Sequence, residues 1–474
     1  MGINANLSSE ARPRAAPEDG CESLELAHLG AVGLNRVPFG RGWLRFRLPA
    51  GMRATVAEAR FSPPLSDPVA AVRSALQTPL ESPPLAQLAR ETAHRGGRVC
   101  LVFTDATRAC PDQILVPPIL DVLTSAGIKL ERITLLCATG LHRPSTSAEK
   151  EAKLRPDVVA RYRVVDHNAT DERNLVSLGT YATDDGHSGR VEVPLVVNRM
   201  VAEADLLIAT GVVEPHQYAG YSGGGKTVTI GTGGEATIAA THTATFLDHP
   251  GVRLGRVNGN PFQKVVREGA RRAGLDFVVN VLADGEGRVL AVSAGAPDAV
   301  HDALVHQARG VFELPVAHQF DVAVAGVGYP KDANLYQASR AASYLQFAPV
   351  PVVRPGGLII LPAPIPEGAG AGLGEQRFLA ALASADDLSR FLDGCRRSGF
   401  PPGVQRAFVM ATVLLQNNII VVGATRPDVV QQTKMIPVTT MADAFTLAAE
   451  RLGPELDVLI VPHALLTLPV VESF

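Results

Sequence analysis

Apolar residues in this 474-residue chain recur with two different periods. "RVCLVFTD" (98–105), "RITLLCATG" (132–140) and "DLLIATGVV" (205–213) are short, continuous apolar runs that close on polar or glycine positions. Runs of that length, rich in β-branched residues, predict buried strands. "RYRVVDH" and "RVEVPLVV" predict two more, and "GWLRFRLP" upstream alternates in the same way. Between them, "PVAAVRSALQ", "PLAQLARETAHR" and "QILVPPILDVLTSAG" have helical spacing, the last stopping at a glycine. "TSAEKEAKL" opens with Thr146 and Glu149 in capping-box positions. Strands alternating with helices predict βαβ units and a largely parallel sheet.

The rhythm breaks at "FVVNVLADGEGRVLAVSAG", two apolar runs around a turn, which predicts a hairpin. It resumes at "FDVAVAGVG", with further strands at "GGLIILPAP" and "NIIVVGA" and a helix at "MADAFTLAAERLG". The expected architecture is two α/β domains with largely parallel sheets and an active-site cleft between them. Residues 31–315 form the first domain and 316–450 the second. The last segment, 451–474, carries the strand pattern "LDVLIVPHALLTLP" and is expected to return to the first domain. Residues 1–30 are polar, without an apolar core segment, and read as a disordered tail.

Composition narrows the function. The formal net charge is −3, with no basic stretch to suit nucleic acid, and Trp43 is the only tryptophan, which disfavours a base-stacking platform. Five scattered cysteines without a C-x-x-C pair fit neither a disulfide framework nor a structural zinc site. Reduced thiols, no apolar leader and no apolar run of membrane-spanning length predict a soluble, cytoplasmic protein.

In open α/β sheets ligands bind beyond the carboxyl ends of strands. The polar residues there are the candidate chemistry. "GYSGGGKTVTIG" (220–231) has P-loop spacing, yet "TVTIGTGG" is a poor start for the helix such a loop requires. Gly223, Gly224 and Gly225 permit close backbone approach, and Lys226 is a phosphate contact, a covalent anchor or a solvated side chain. A P-loop phosphotransferase or NTPase and a non-enzymatic binding module for acidic metabolites therefore both stay open. "FTDATRACP" offers Asp105, Thr107 and Arg108, the arginine suited to a carboxylate or phosphate. "CATGLHRPS" places His142 after the next strand. "VVEPHQYAG" adds His216, and "ATHTATFLDHP" adds His242 and His249. Two neutral histidines can act as opposed acid and base, with a third as a metal ligand. In "YPKDANLYQASRAA", Gln337 and Arg340 lie three apart on one helical face and can grip a carboxylate.

Taken in order, "TDATR", "ATGLHRP", "EPHQYAGYSGGGK", "THTATFLDHP" and "YPKDANLYQASR" resemble the nickel-dependent lactate racemase family over about residues 100–345. The resemblance implies a nickel pincer nucleotide, a pyridinium mononucleotide bearing two thiocarbonyl arms, supplied by separate cofactor-synthesis enzymes. It implies Lys226 as the covalent anchor, His242 as the nickel ligand, and His142 and His216 as the acid/base pair. Arg108 would stand near the reacting oxygen, Asp105 and Thr107 beside the cofactor, and Gln337 and Arg340 on the substrate carboxylate. The implied reaction is racemisation or epimerisation of a 2-hydroxy acid, lactate-like or larger, by reversible hydride transfer through a planar 2-keto acid. Two positions depart from the family pattern. Arg340 stands where the best-known member of the family has a lysine, and that member's cofactor-stacking tryptophan of the second domain has no counterpart, Trp43 lying far outside that domain in sequence.

Overall fold

The computed structural model describes residues 33–187, 189–401 and 403–472. The expected tail at 1–30 lies outside the described residues. Strand β1 (Met52–Val56) comes first among those of the two large sheets. Strands β2 (Val99–Thr104), β3 (Ile133–Ala138), β4 (Arg163–Asp166), β5 (Leu206–Val212), β6 (Leu275–Ala283) and β7 (Val289–Gly295) form one six-stranded sheet. Its order is β7-β6-β5-β2-β3-β4, parallel except for the β6–β7 hairpin. Strands β8 (Phe320–Ala325), β9 (Val353–Pro362), β10 (Asn418–Val422), β11 (Ile436–Val438) and β12 (Leu456–Val461) join β1 in the second sheet. Its order is β11-β10-β9-β8-β12-β1, parallel throughout.

All six residues of β2 and all seven of β5 are buried, as expected of strands covered on both faces. The helices that matter below are α1 (Asp112–Ser125), α2 (Ser147–Leu154), α3 (Lys226–Thr229), α4 (Glu235–Thr241), α5 (Ala244–Asp248), α6 (Pro261–Arg272) and α7 (Pro297–Phe312) in the first lobe. The second lobe contributes α8 (Leu335–Ala338), α9 (Arg340–Gln346), α10 (Leu373–Ser384) and α11 (Val404–Gln416). Helix α2 starts on the capping box read from the sequence: Thr146 Oγ accepts from the Glu149 amide at 3.2 Å, and Glu149 accepts from the Thr146 amide at 2.8 Å.

Two domain assignments require correction. Strand β12 does not return to the first lobe; it sits centrally in the second sheet, between β8 and β1. Residues 33–56 likewise belong to the second lobe. There β1 is an edge strand, and the hairpin Leu34–Phe39/Gly42–Arg47 buries Val37 and Phe46 against Val322, Leu358 and Phe445. A short parallel pair, Glu313–Val316 with Leu468–Val471, marks the junction between lobes. Beneath it one apolar core is continuous: Phe246 and Phe262 of the first lobe share a cluster with Phe320, Leu345 and Phe378 of the second. Among the described residues no helix is long and apolar enough to cross a membrane.

Candidate active site

Residues of both lobes line a cavity of about 400 Å³. In the first sheet the chain moves from β2 outward to β3 and β4, then returns to the other side of β2 as β5. That reversal is a topological switch point, where the loops after neighbouring strands diverge and leave a crevice. Arg108 follows β2, Thr139 to His142 follow β3, and Glu214 follows β5; all line the cavity. Lys226, Thr227 and His242 complete the first-lobe wall, and Tyr336, Arg377, Phe400 and Gln405 form the opposite one.

His142 and Asp105 form a dyad. The imidazole Nδ1 donates to Asp105 Oδ2 at 2.6 Å, leaving Nε2 with its lone pair on a ring whose side chain is 47% exposed. Asp105 itself is buried. Burial pushes its carboxyl up, but the His142 bond, the Thr107 hydroxyl and the Arg108 charge together hold it below the usual carboxylate range. Thr107 donates its hydroxyl to Asp105 Oδ1 at 2.7 Å. Asp105 and Thr107 do not line the cavity; they brace His142 from behind it. The Arg108 guanidinium lines the cavity and has no acceptor among the described residues.

Lys226 opens the single-turn helix α3 on the cavity wall, and its amine has no hydrogen-bond partner among the described residues. Burial and then the Arg108 charge lower its pKa to about 7, with Glu214 and Asp105 partly offsetting them. Of the three glycines before it, only Gly223 lines the cavity. Gly224 and Gly225 are glycines for packing. A Cβ on Gly224 would meet the His301 ring from 3.2 Å, and one on Gly225 would lie 2.4 Å from Ala270 Cβ. The turn is also not a phosphate cradle. The Gly224 amide is taken by Asn280 Oδ1 at 2.7 Å, the Lys226 amide by the Gly223 carbonyl at 3.2 Å, and α3 spans only four residues.

His242 lies where the helix ends, at the carboxyl end of α4 before α5. Its Nδ1 donates to the Ile238 carbonyl at 2.8 Å, so Nε2 keeps the lone pair that a metal needs. Burial lowers its pKa to about 4, so the ring is neutral at pH 7. The Tyr218 ring lies 4.8 Å from it. Among the described residues no group of three or more His, Cys, Asp or Glu side chains is placed to hold a metal. Any metal at His242 would need further ligands from beyond the described side chains.

His216 does not line the cavity; it stacks behind it near Tyr218 and Phe262. Its Nδ1 accepts from the amides of Tyr218 and Ala219, both at 3.2 Å, which places the ring proton on Nε2. Burial, then the charges of Lys226, Arg108 and Arg340, hold its pKa well below the ordinary value. His249 lies apart from the site, with Nε2 on Asp184 at 2.5 Å.

Gln337 and Arg340 fall on the second lobe's side of the cleft but do not line the cavity. Arg340 donates to Tyr344 Oη at 3.0 Å and to Gln337 Oε1 at 3.4 Å. The neighbouring Tyr336 reaches the cavity instead. Trp43 packs edge-on against His463 at 6.0 Å and stays out of the cavity, so Phe400 and Tyr336 are the aromatic rings there. Phe400, Arg377, Gln405 and Glu214 were not singled out from sequence. For the second-lobe residues the available signal was the glycine-rich "GAGAGLG" (368–374), between β9 and α10, and "GFPPG" (399–403), which joins two helices.

Fold and cavity together define a two-lobed α/β protein whose candidate active site is a cavity lined by residues of both lobes. Residues 39–255 match the lactate racemase N-terminal domain and residues 317–468 the lactate racemase C-terminal domain. The chain is 32% identical to the lactate racemase of Lactiplantibacillus plantarum over 399 residues, covering 83% of this chain and 89% of that one. It is 27% identical to the lactate racemase of Thermoanaerobacterium thermosaccharolyticum over 435 residues, covering 90% and 96%. The solved lactate racemase apoprotein from the latter organism superposes with a TM-score of 0.81 at 25% identity, over 92% of this chain and all of that one. A protein from Thermotoga maritima shares the fold, with a TM-score of 0.64 at 18% identity over 87% of this chain. The chain belongs to the lactate racemase family and is an isomerase.

Proposed function

We propose that this isomerase racemises or epimerises a 2-hydroxy acid, lactate-like or larger, using a nickel pincer nucleotide delivered by cofactor-synthesis enzymes. One observation carries the reading: a partnerless amine of lowered pKa, an imidazole with a free Nε2 and a carboxylate-backed imidazole line one cavity. Lys226 is the covalent anchor and His242 Nε2 the nickel ligand. Once bound, such a group supplies a reversible acceptor for the hydrogen removed from C2 of the substrate with its electron pair.

The chain's own residues manage protons and position. His142 Nε2 takes the hydroxyl proton, and Asp105 steadies the imidazolium that results. Arg108 polarises the oxygen as it becomes a carbonyl, a contribution on the order of 3 kcal/mol for a well-aimed donor in a dry site. Arg340 and Gln337 bind the carboxylate once Tyr344 releases the guanidinium. His216 serves the opposite enantiomer. To act as a base it must first exchange its two amide donors for a proton on Nδ1, so the two histidines start from opposite tautomers.

The test is intact-protein mass and metal analysis on chain coexpressed with the cofactor-making enzymes, followed by chiral chromatography of a panel of 2-hydroxy acids. An adduct and one nickel per chain are expected, both lost in Lys226→Ala. His142→Ala and His216→Ala should retain nickel and lose interconversion. Undiminished interconversion in either histidine variant overturns the assigned roles.

A further inference from the structure

Behind the loop that presents Arg108 lies a buried ion pair that none of the proposed chemistry uses. Lys153, on the last turn of α2, points its ammonium inward to Asp112 Oδ2 at 2.7 Å. The same nitrogen donates to Thr104 Oγ at 2.9 Å and to the carbonyls of Cys110 at 2.6 Å and Arg108 at 3.4 Å. Asp112 is fully buried. Its carboxylate also accepts the Thr104 hydroxyl at 2.6 Å and the Thr210 hydroxyl. The Thr210 carbonyl in turn accepts the hydroxyl of Thr227, the residue after Lys226, at 2.9 Å.

A buried ion pair is a weak source of stability, since desolvation offsets much of the attraction and apolar side chains of similar volume fill such a space as well. Apolar side chains could not hold two loop carbonyls at one point. Here a single ammonium fixes the backbone at 108 and 110, and its carboxylate partner ties that loop to the ends of β2 and β5.

We propose that Lys153, with Asp112, is a positioning residue: it fixes the 105–111 loop so that Arg108 stands over the cavity in register with Lys226. Lys153 touches no substrate and acts through Arg108. The inference rests on the role given to Arg108 above, but its first test needs no turnover.

Arg108 depresses the Lys226 amine, so a loop that lets Arg108 withdraw raises the pH at which that amine becomes reactive. The experiment follows the pH dependence of Lys226 acylation in cofactor-free protein by peptide mass spectrometry. Lys153→Met leaves a buried carboxylate unpaired and risks misfolding, so the charge-balanced Lys153→Met/Asp112→Asn variant is measured beside it. In the folded variant the acylation midpoint is expected to rise by about one pH unit, as is also expected of Arg108→Met, and combining the changes should add little. In loaded enzyme kcat should fall on the order of tenfold to a hundredfold, with KM nearly unchanged. A midpoint identical to the parent's in a variant of near-parental Tm overturns the proposal. A shifted midpoint in a chain that interconverts no 2-hydroxy acid instead leaves the positioning intact and defeats the functional reading it serves.

Discussion

At the residue scale, the Lys226 amine differs from a surface lysine through its surroundings alone: burial first, then the Arg108 charge. With a pKa of about 7, roughly nine-tenths of it is neutral at pH 8, against less than about one per cent for an ordinary lysine. Lys226 is therefore expected to be the fastest-acylated lysine at pH 8, as read by peptide mapping after brief exposure to an amine-selective reagent. Removing a positive neighbour raises an amine pKa, so Arg108→Met should slow that reaction, whereas Glu214→Gln should speed it. The Asp105–His142 dyad gives a second expectation. Asp105→Asn keeps the shape but favours the wrong imidazole tautomer, and interconversion should fall on the order of 10²- to 10⁴-fold. A rate within twofold of the parent would remove Asp105 from its supporting role. Arg108, His142 and Lys226 stood out because each follows a strand or sits in a glycine turn, where a polar side chain has no packing duty. Lys153 did not, because it occupies an ordinary helical position in "AEKEAKL" and only tertiary packing turns it inward.

At the scale of elements, most local structure followed from local pattern. The β6–β7 hairpin is an example: Asp284 closes its turn by accepting the amides of Glu286 at 3.0 Å and Arg288 at 2.9 Å. The break between α4 and α5 was not legible, since "GEATIAATHTATFL" keeps helical spacing straight through His242. Glycines separate in the same way. Gly225 packs against α6, so Gly225→Ala should destabilise by about 1–3 kcal/mol through overpacking. Gly310, exposed in the last turns of α7, meets nothing within 4 Å of an added Cβ. Gly310→Ala should stabilise by about 0.5–1 kcal/mol through a better helix residue. Thermal denaturation of the two variants should shift in opposite directions.

At the scale of the molecule, the alternation of strands and helices revealed two sheets but not which strand ends in which. The sequence of strand β1 does not tell which sheet it joins; its pairing, Met52 to Leu456 through Val56 to Ile460, assigns it to the second. The shared core makes a thermodynamic prediction. Because Phe246 and Phe262 pack in the same cluster as Phe320 and Phe378, neither lobe can melt without exposing apolar surface of the other. Calorimetry of the cofactor-free chain should show a single transition, and two resolved peaks would show that the lobes are energetically separate. The interlobe ion pair, Arg396 with Asp248 at 2.8 Å, is partly exposed and contributes little, so the midpoint should change little with salt.

The pairing of β1 with β12 also sets an order of events on the ribosome. Arg53 meets its partner Asp457 across 404 positions of sequence, so β1 is synthesised before the whole first sheet and its partner strand only after it. The first sheet can assemble while synthesis continues, because all its strands fall between residues 99 and 295. Throughout that interval β1 is an unclaimed strand, and its exposure to mispairing with neighbouring chains ends only when β12 emerges.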